Sequence, residues 1–441
     1  MKTFTFQPRV SNFGRTLFVC SALGFVASAL VGTLASIEYI QATQRIDWIT
    51  RVPMEKLRPL HLLLATIAMV MGAMAITNSL LYSLQSSPSR QRLVADWITT
   101  LGILGFTLVA VASVLNGKIS GREYVSWPSY ATPFLLASIA AMGWRGILQF
   151  RSLQSLSPEG SILLGIGWLL TFSGFIEAQL FLIPWVFENG VRDLTSQWHG
   201  IDTFVAGINV ILYAGMIFLM QHKPKPLRKT LLFTIAGFGL LGTFGHHHYV
   251  SPQPGYLKVF AFLASMVAVI SFVRHLHGVK REMASNQRKD PVFNLLLTAE
   301  FWTLVAVGSG ILFAIPPLNF YVHGTYLIII HAMGSMIGIN FVIMIAAASV
   351  FCHNQNESSA FSNRSELWLL NGSLLVLWVG LAIPSVIKGI LRTNLTFQQY
   401  MPRVEPWLLV FPVAGMGLLW GILLLSGDLI LAILAKEERP G

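Results

Sequence analysis

The sequence predicts an all-α integral membrane protein, built as a bundle of twelve transmembrane helices. Its composition is too apolar for a water-soluble protein of this length, because 54% of the 441 residues are hydrophobic and only 11% are charged. The mean hydropathy of +0.64 agrees with this, and the apolar residues form runs long enough to cross a bilayer. We therefore expect a single membrane domain over residues 1–441 that contacts membrane lipid.

Each predicted span is an apolar run of about 20 residues or more. In chain order the runs cover residues 14–37, 60–84, 96–115, 126–150, 160–187, 198–221, 229–249, 255–277, 292–316, 321–350, 365–390 and 404–435. The first run is too long for the apolar part of a signal peptide and has no persuasive small-residue cleavage site. Span one is therefore expected to remain in the mature protein.

The positive charges predict which side of the membrane the termini occupy. An even number of spans places both termini on one side, and the termini with the connections after even-numbered spans carry 19 of the 30 Lys and Arg residues. Because basic residues collect in cytoplasmic loops, both termini are predicted to be cytoplasmic. The net charge of +11 lies in juxtamembrane clusters such as 223–229 and 279–289. Such clusters suit lipid headgroups, and no nucleic-acid partner is expected.

Seven of the eleven histidines fall within or at the ends of predicted spans, all in the half of the membrane that faces away from the cytoplasm. They are His61, His199, His246, His247, His248, His323 and His331. An imidazole in hydrocarbon is costly unless something binds it. A single buried histidine could be a satisfied core residue, but seven at one depth on four spans indicate a buried metal or haem centre.

Span ten has the most informative spacing. His331 and Met333 are two positions apart, so at about 100° per residue they project from nearly opposite faces of one helix. One helix could then supply axial ligands to two haems, since imidazole and thioether both ligate haem iron. The alternative for Met333 is a packing role in a chain with 15 methionines.

Four short strings carry a family resemblance. They are RPLH (58–61), GREY (121–124), GTFGHHHY (242–249) and NFYVHGTYLIIIHAMGSMIG (319–338). Their order and their places in the spans resemble the haem-copper oxidase superfamily and, within it, the large subunit of bacterial nitric oxide reductase. The resemblance covers essentially the whole chain. It implies a haem-copper oxidase-like bundle in the bacterial inner (cytoplasmic) membrane.

The resemblance also implies a catalytic centre formed by a high-spin b-type haem and a non-haem metal. His331 would ligate that haem, and the metal facing it would be bound by His199, His246 and His247. In the reductases the metal is iron, so copper is less expected here. An alternative register would use His247 and His248 as the metal ligands.

A second, low-spin b-type haem is implied beside the first. His61 would ligate it on one side, and Met333 stands where the family has a second histidine, so this haem would be His/Met ligated or absent. His323 would lie near the haem propionates, eight residues and about 12 Å above His331 on the same helix. Arg58 could pair with a propionate, and Glu123 matches a position associated with calcium.

Two further departures concern acidic residues. Thr203 stands four residues after His199, where the reductases have a glutamate and the main class of oxidases has a tyrosine, and the segment 260–272 contains no acid. The acids that remain inside predicted spans are Asp202, Glu177, Glu300 and Asp428. The first three are candidates for a proton relay, and each could equally be a paired structural acid.

The resemblance implies an oxidoreductase that reduces nitric oxide to nitrous oxide. Nitric oxide dismutation or oxygen reduction on the same architecture remains an alternative, as does a haem-binding gas sensor or assembly protein without turnover. The chain has no Cys-x-x-Cys-His motif for a covalent haem of its own. Electrons are thus expected from a small cytochrome c subunit or from a quinol.

Overall fold

The structure is a computed structural model of the chain. It describes residues 8–40, 53–84, 90–220, 254–256, 259–260, 262–263, 266, 291–313, 315–352 and 364–434. Within these ranges the chain forms helices and turns, without a β-strand.

The α-helices are numbered in chain order. They are α1 (Asn12–Ile37), α2 (Met54–Ser83), α3 (Arg90–Leu115), α4 (Thr132–Leu148), α5 (Phe150–Leu156), α6 (Pro158–Glu177), α7 (Pro184–Phe187), α8 (Gly190–Met220), α9 (Pro291–Phe313), α10 (Pro316–Val322), α11 (Tyr326–Met333), α12 (Val342–Cys352), α13 (Arg364–Leu391), α14 (Phe397–Val404) and α15 (Val410–Leu434). A π-helix, Gly334–Phe341, joins α11 to α12, and 3-10 turns occupy Ser129–Ala131, Leu180–Leu182 and Glu405–Leu409.

Ten helical segments in the described ranges are long and apolar enough to cross a membrane. Each corresponds to one predicted span, so the all-helical, multi-pass membrane fold is confirmed. The predicted span 229–249 and most of the span 255–277 lie outside the described residues. The total of twelve spans and the cytoplasmic placement of both termini therefore stay predictions.

Two spans begin earlier than their apolar runs. Helix α2 begins at Met54, and α8 begins at Gly190. The runs 60–84 and 198–221 would place His61 and His199 at the start of their spans, but each lies more than a full turn inside its helix. The reason is that a helix continues through polar residues such as Glu55 as long as its backbone hydrogen bonds are made.

Span ten is broken, contrary to the expectation of one continuous helix. Helix α10 ends at Val322, and α11 begins at Tyr326. Between them Gly324 has φ +75°, a left-handed conformation that glycine adopts at little cost. The Thr325 side chain caps α11 by accepting a hydrogen bond from the Leu327 amide. His323 is therefore not on the helix that carries His331, and the expected 12 Å rise between them does not apply.

The centre of the bundle is formed by α2 and by the segment from α11 to α12. In their most apolar stretches 78% and 83% of the residues are buried, against 33% for α3 and for α13. The exposed apolar residues of α3 and α13 suit contact with lipid. His61, His331 and Met333 thus lie on the two central spans, which also contact each other.

Helices α6 and α8 approach each other at glycines. A Cβ atom on Gly174 would lie 2.4 Å from the Phe204 backbone nitrogen, and one on Gly200 would lie 2.6 Å from that of Ala178. No larger residue fits at such contacts, and small residues are what allow membrane helices to pack at this distance. The packing brings the C-terminal end of α6 against the part of α8 that carries His199.

Candidate functional site

A cavity of about 540 Å³ lies among α1, α2 and the span that begins with α11. Its size falls within the range of about 300–1,000 Å³ that is usual for ligand and cofactor sites. Five of the residues singled out in the sequence line it: Arg58, His61, Glu123, His323 and Met333. The structure thus brings together the residues expected around one haem.

The His61 ring is held by α1. Its Nδ1 atom lies 2.8 Å from the carbonyl oxygen of Ser28, which can only accept, so Nδ1 carries the proton and donates it. The Ser28 hydroxyl lies 3.1 Å from the same nitrogen. A Cβ atom on Gly32 would be 2.7 Å from the ring, so a glycine is needed there. With Nδ1 protonated, Nε2 is the nitrogen that can act as a ligand.

The His331 ring is held by α9 in the same way. Its Nδ1 atom lies 2.8 Å from the carbonyl oxygen of Ala306. A Cβ atom on Gly310 would be 2.8 Å from the ring. In both cases the glycine follows the accepting residue by four positions, one helical turn. We call this pairing the carbonyl–glycine contact.

Met333 and His331 face different sides of span ten. Met333 lines the cavity that His61 also lines, together with Ala332 and Met336. His331 is not among the lining residues, and its ring turns toward α9. The spacing argument from the sequence, that the two side chains project from nearly opposite faces, agrees with this geometry.

Cationic side chains gather at one end of the cavity. Arg58 forms an ion pair with Glu123. Lys388 lines the cavity, with its Nζ atom 5.0 Å from the centre of the Tyr326 ring. Arg392 donates a hydrogen bond of 2.5 Å to the carbonyl oxygen of His323. Burial, and next the charge of Arg392, lower the pKa of His323, although the Glu123 carboxylate opposes the shift.

The sequence reasoning missed Lys388 and Arg392. Both lie around the C-terminal end of α13, on the side of the membrane where Arg58 was predicted to lie. The presence of Arg58, Lys388 and Arg392 on that one side could have indicated a site for an anionic group. What the sequence did not indicate is that the break in span ten turns its backbone carbonyls toward Arg392.

The GREY segment forms a tight loop against α8. Tyr124 has φ +62°, a left-handed conformation that is uncommon for a residue with a side chain. Its side chain lines the cavity, and burial, followed by the charge of Glu123, raises the pKa of its hydroxyl, which therefore stays protonated. Arg122 ties the loop to α8 through an ion pair of 2.8 Å with Asp193. Such strain is maintained only where the surroundings fix it, which marks Tyr124 as a site residue that the sequence reasoning overlooked.

His199 is oriented by an acid. Its Nδ1 atom lies 2.5 Å from Oε1 of Glu177, with the side chains 13% and 26% exposed respectively. Glu177 is the last residue of α6, so the glycine contacts between α6 and α8 fix this pair. Thr203, one turn after His199, is buried, with 5% exposure.

The other predicted acids lie elsewhere in the bundle. Asp202 is on α8. Glu300 is buried on α9, one turn before Thr303, whose hydroxyl lies 2.5 Å from that of Tyr213 on α8. Asp428 lies on α15. The three acids thus lie on three different helices.

The predicted non-haem metal site is only partly described. His246, His247 and His248 lie outside the described residues. Among the residues that are described, no three His, Cys, Asp or Glu side chains form a group that could hold a metal ion. The ligand set of His199, His246 and His247 therefore stays a prediction.

Comparison with known proteins identifies the class. The profile of the family described as "Cytochrome C and Quinol oxidase polypeptide I" matches residues 12–417. The fold is similar to a cryo-EM structure of a heme-copper terminal oxidase dimer, with a TM-score of 0.70 and 14% sequence identity. That match covers 98% of this chain and 86% of the other.

The multi-pass bundle carries one described histidine within each of its two central helices, His61 and His331. Because the family profile spans most of its length, the chain belongs to the haem-copper oxidase subunit I family. Members of this family are membrane-bound oxidoreductases that work with electron donors.

Proposed function

We propose that this chain is the catalytic subunit of a nitric oxide reductase in the bacterial inner membrane. The reaction combines two nitric oxide molecules, two electrons and two protons into nitrous oxide and water. The observation that carries the proposal is that the strings at 58–61, 121–124, 242–249 and 319–338 resemble those of the reductases and stand in the same order. Thr203, buried one turn after His199, departs from the glutamate of the reductases but bears against the main-class oxidases as well. Main-class oxidases resemble this chain but have a tyrosine at that position, and a threonine cannot supply the phenol of such a site.

The cavity suits a low-spin b-type haem ligated by His61 and Met333. Three features support the fit: the volume of about 540 Å³, the two ligating side chains on its wall, and the glycine that lets the His61 ring approach α1. The low-spin haem would supply one-electron transfer, and the high-spin haem with the non-haem metal would supply the binding site for the gas.

The residues at the polar end of the cavity would balance the charge of the haem propionates. Lys388, which lines the cavity, is placed for this role, and Arg58 could share it. Arg392 lies beside them and donates to the carbonyl oxygen of His323. Arg58 already forms an ion pair with Glu123, so the two residues compensate each other's charge. A calcium ion bound by Glu123 would take the place of Arg58 as the counter-ion of the carboxylate. Arg58 could then pair with a propionate.

The high-spin haem is proposed to bind to His331 on the far face of span ten. The carbonyl–glycine contact with α9 directs its Nε2 nitrogen. Across from it, His199 would bind a non-haem iron together with His246 and His247, which lie outside the described residues. Copper is less favoured, because the resemblance in the ligand strings is to the iron-containing reductases.

Protons would reach the site through the chain's own polar side chains. Asp202, Glu177 and Glu300 are the acidic candidates, and the Thr203 hydroxyl is buried on the same helix as Asp202. Electrons would come from a small cytochrome c subunit or from a quinol.

Oxygen reduction is the second candidate function, because the family description and the similar structure both refer to oxidases. It would consume four electrons and four protons for each oxygen molecule. The two reactions are distinguished by supplying the purified protein with a chemical electron donor and nitric oxide or oxygen in separate assays. Nitrous oxide is measured by gas chromatography.

We expect nitric oxide consumption with one nitrous oxide formed for every two nitric oxide molecules. His199→Ala should abolish it, whereas Glu188→Gln, at an exposed position near the same end of α8, should leave it unchanged. Turnover with oxygen alone would replace the proposal with oxygen reduction. Binding of nitric oxide without multiple turnovers would favour the gas sensor.

A further inference from the structure

Three histidines in the described part of the bundle have their Nδ1 atom engaged, but the partners are of two kinds. His61 and His331 donate to backbone carbonyl oxygens at 2.8 Å. His199 has instead the carboxylate of Glu177 at 2.5 Å. A carbonyl is a neutral acceptor, whereas a carboxylate carries a full negative charge and forms a shorter, stronger hydrogen bond.

We propose that Glu177 is the positioning residue of the non-haem metal site: it holds His199 so that Nε2 faces the metal and makes that nitrogen a stronger ligand. This inference rests on the proposed function, in which His199 binds the non-haem iron. A histidine that donates its second ring N–H to a carboxylate is fixed in one tautomer and becomes more basic. The acid that the sequence analysis considered for a proton relay is thereby given a different role.

The position of Glu177 is set by the backbone. It is the last residue of α6, and the following residue, Ala178, is in contact with Gly200, next to His199 in sequence. A Cβ atom at Gly200 would lie 2.6 Å from the Ala178 nitrogen, so the two backbones meet directly beside the Glu177–His199 pair. Helix α6 cannot slide along α8 without breaking this contact. The contact therefore fixes the distance between the backbone of Glu177 and that of His199.

The Glu177 carboxylate also supplies a negative charge that the residue at position 203 does not. The reductases that this sequence resembles have a glutamate one turn after the span-six histidine, and here that position is Thr203, which has no charge. Glu177 places a negative charge behind the His199 ring, on the Nδ1 side. Its charge therefore acts on the metal through the imidazole and not as a direct ligand.

The test measures iron retention by the purified, haem-loaded protein. Fe(II) is titrated against increasing concentrations of a coloured chelator, and total haem is measured in parallel. Glu177→Gln keeps the size and an accepting oxygen but removes the charge, so we expect iron affinity to fall about tenfold. Glu177→Ala removes both, and the loss should approach about 100-fold, the upper end of the usual effect of such partners.

Two controls make the result specific. Glu188→Gln removes an exposed carboxylate eleven positions after Glu177 in sequence and should retain iron like the wild type. The low-spin haem spectrum should be unchanged in every variant, which shows that the bundle is intact. If Glu177→Ala loses haem as well, the isosteric Gln variant decides the question.

The possible failures are distinguishable. If His199→Ala retains iron as the wild type does, the proposed non-haem centre is wrong. If His199→Ala loses iron while Glu177→Gln binds it as tightly as the wild type, the carboxylate serves only packing, and the inference about Glu177 is overturned while the proposed function stands.

Discussion

Two regions of the bundle fix histidines by the Nδ1 atom, and they do so by different means. One lies around α1, α2 and α9, and the other lies around α6 and α8. In the first, a neutral carbonyl accepts from the ring, and a glycine one turn later makes room for it. In the second, glycines bring two backbones together and a carboxylate at the end of one helix meets the ring. The comparison indicates that the first region sets ring geometry alone, whereas the second also sets the charge behind the ligand.

The largest expected effect breaks the carbonyl–glycine contact. In Gly310→Ala the new Cβ would lie 2.8 Å from the His331 ring, so the ring must move. We expect turnover to fall about 100-fold, as a displacement of about 1 Å at a reacting centre can cause, with altered high-spin haem absorption. Gly308→Ala is the matched control on the same helix, because no atom lies within 4 Å of its Cβ position. Equal activity in the two variants would contradict the role of the contact.

The second prediction separates α6 from α8. Gly200→Ala would place a Cβ atom 2.6 Å from a backbone nitrogen, which cannot yield as a side chain does. We expect a loss of about 1–3 kcal/mol in the free energy of unfolding, typical of overpacking, together with weaker iron retention. Gly165→Ala on α6 meets nothing within 4 Å and should preserve both. Iron retention that survives the Gly200 substitution would argue against helix spacing as the source of the Glu177–His199 geometry.

The third prediction concerns the first region, at the cavity that His61 and Met333 line. Met333→His should lower the reduction potential of the low-spin haem, because imidazole stabilises ferric iron better than thioether does. We expect a shift of roughly 0.1 V, within the range of about 0.8 V that axial ligands span. Met336→Leu, at another methionine of the cavity wall, is the control and should leave the potential unchanged. A single high-spin haem per chain, with no shift in Met333→His, would mean that Met333 only packs.

The smallest expected effect concerns pH. The pKa of His323 is lowered by burial and by Arg392, so below the unfolded-state pKa of about 6.5 the unfolded chain binds more protons than the folded one. The contribution of the neutral imidazole to stability is therefore present above that pH and is lost as the pH falls. We expect the thermal unfolding midpoint in detergent to drop between pH 7.5 and 5.5, and to drop less in His323→Gln. Identical pH dependence in both proteins would rule out this contribution.

The sequence predicted the membrane helices well because hydropathy and span length are local properties. Each of the ten spans in the described ranges corresponds to an apolar run. The family resemblance implied that His61 and Met333 serve one haem, and both side chains line the same cavity. Hydropathy did not predict where helices begin, as at Met54 and Gly190. The reason is that backbone hydrogen bonding continues into polar residues.

The contacts that orient the ligands could not be predicted from one sequence. Gly32 and Gly310 are each needed because a ring from another helix approaches them, and nothing in their local sequence reports that approach. The break at Gly324 and the π-helix that follows Met333 depend on how span ten packs against its neighbours. Glu177 was recognised as a costly acid in the membrane, but its partner became identifiable only when α6 and α8 were placed together.

The carbonyl–glycine contact also bears on the order in which the protein is assembled. The atoms that hold the His61 and His331 rings all belong to the polypeptide, so the rotational freedom of both rings is lost when the helices pack. A cofactor that arrives afterwards meets ligands that are already preorganised, and its binding energy is not spent on ordering them. Haem insertion into this chain should therefore follow helix packing, and a variant that loosens either contact should fold but capture haem slowly.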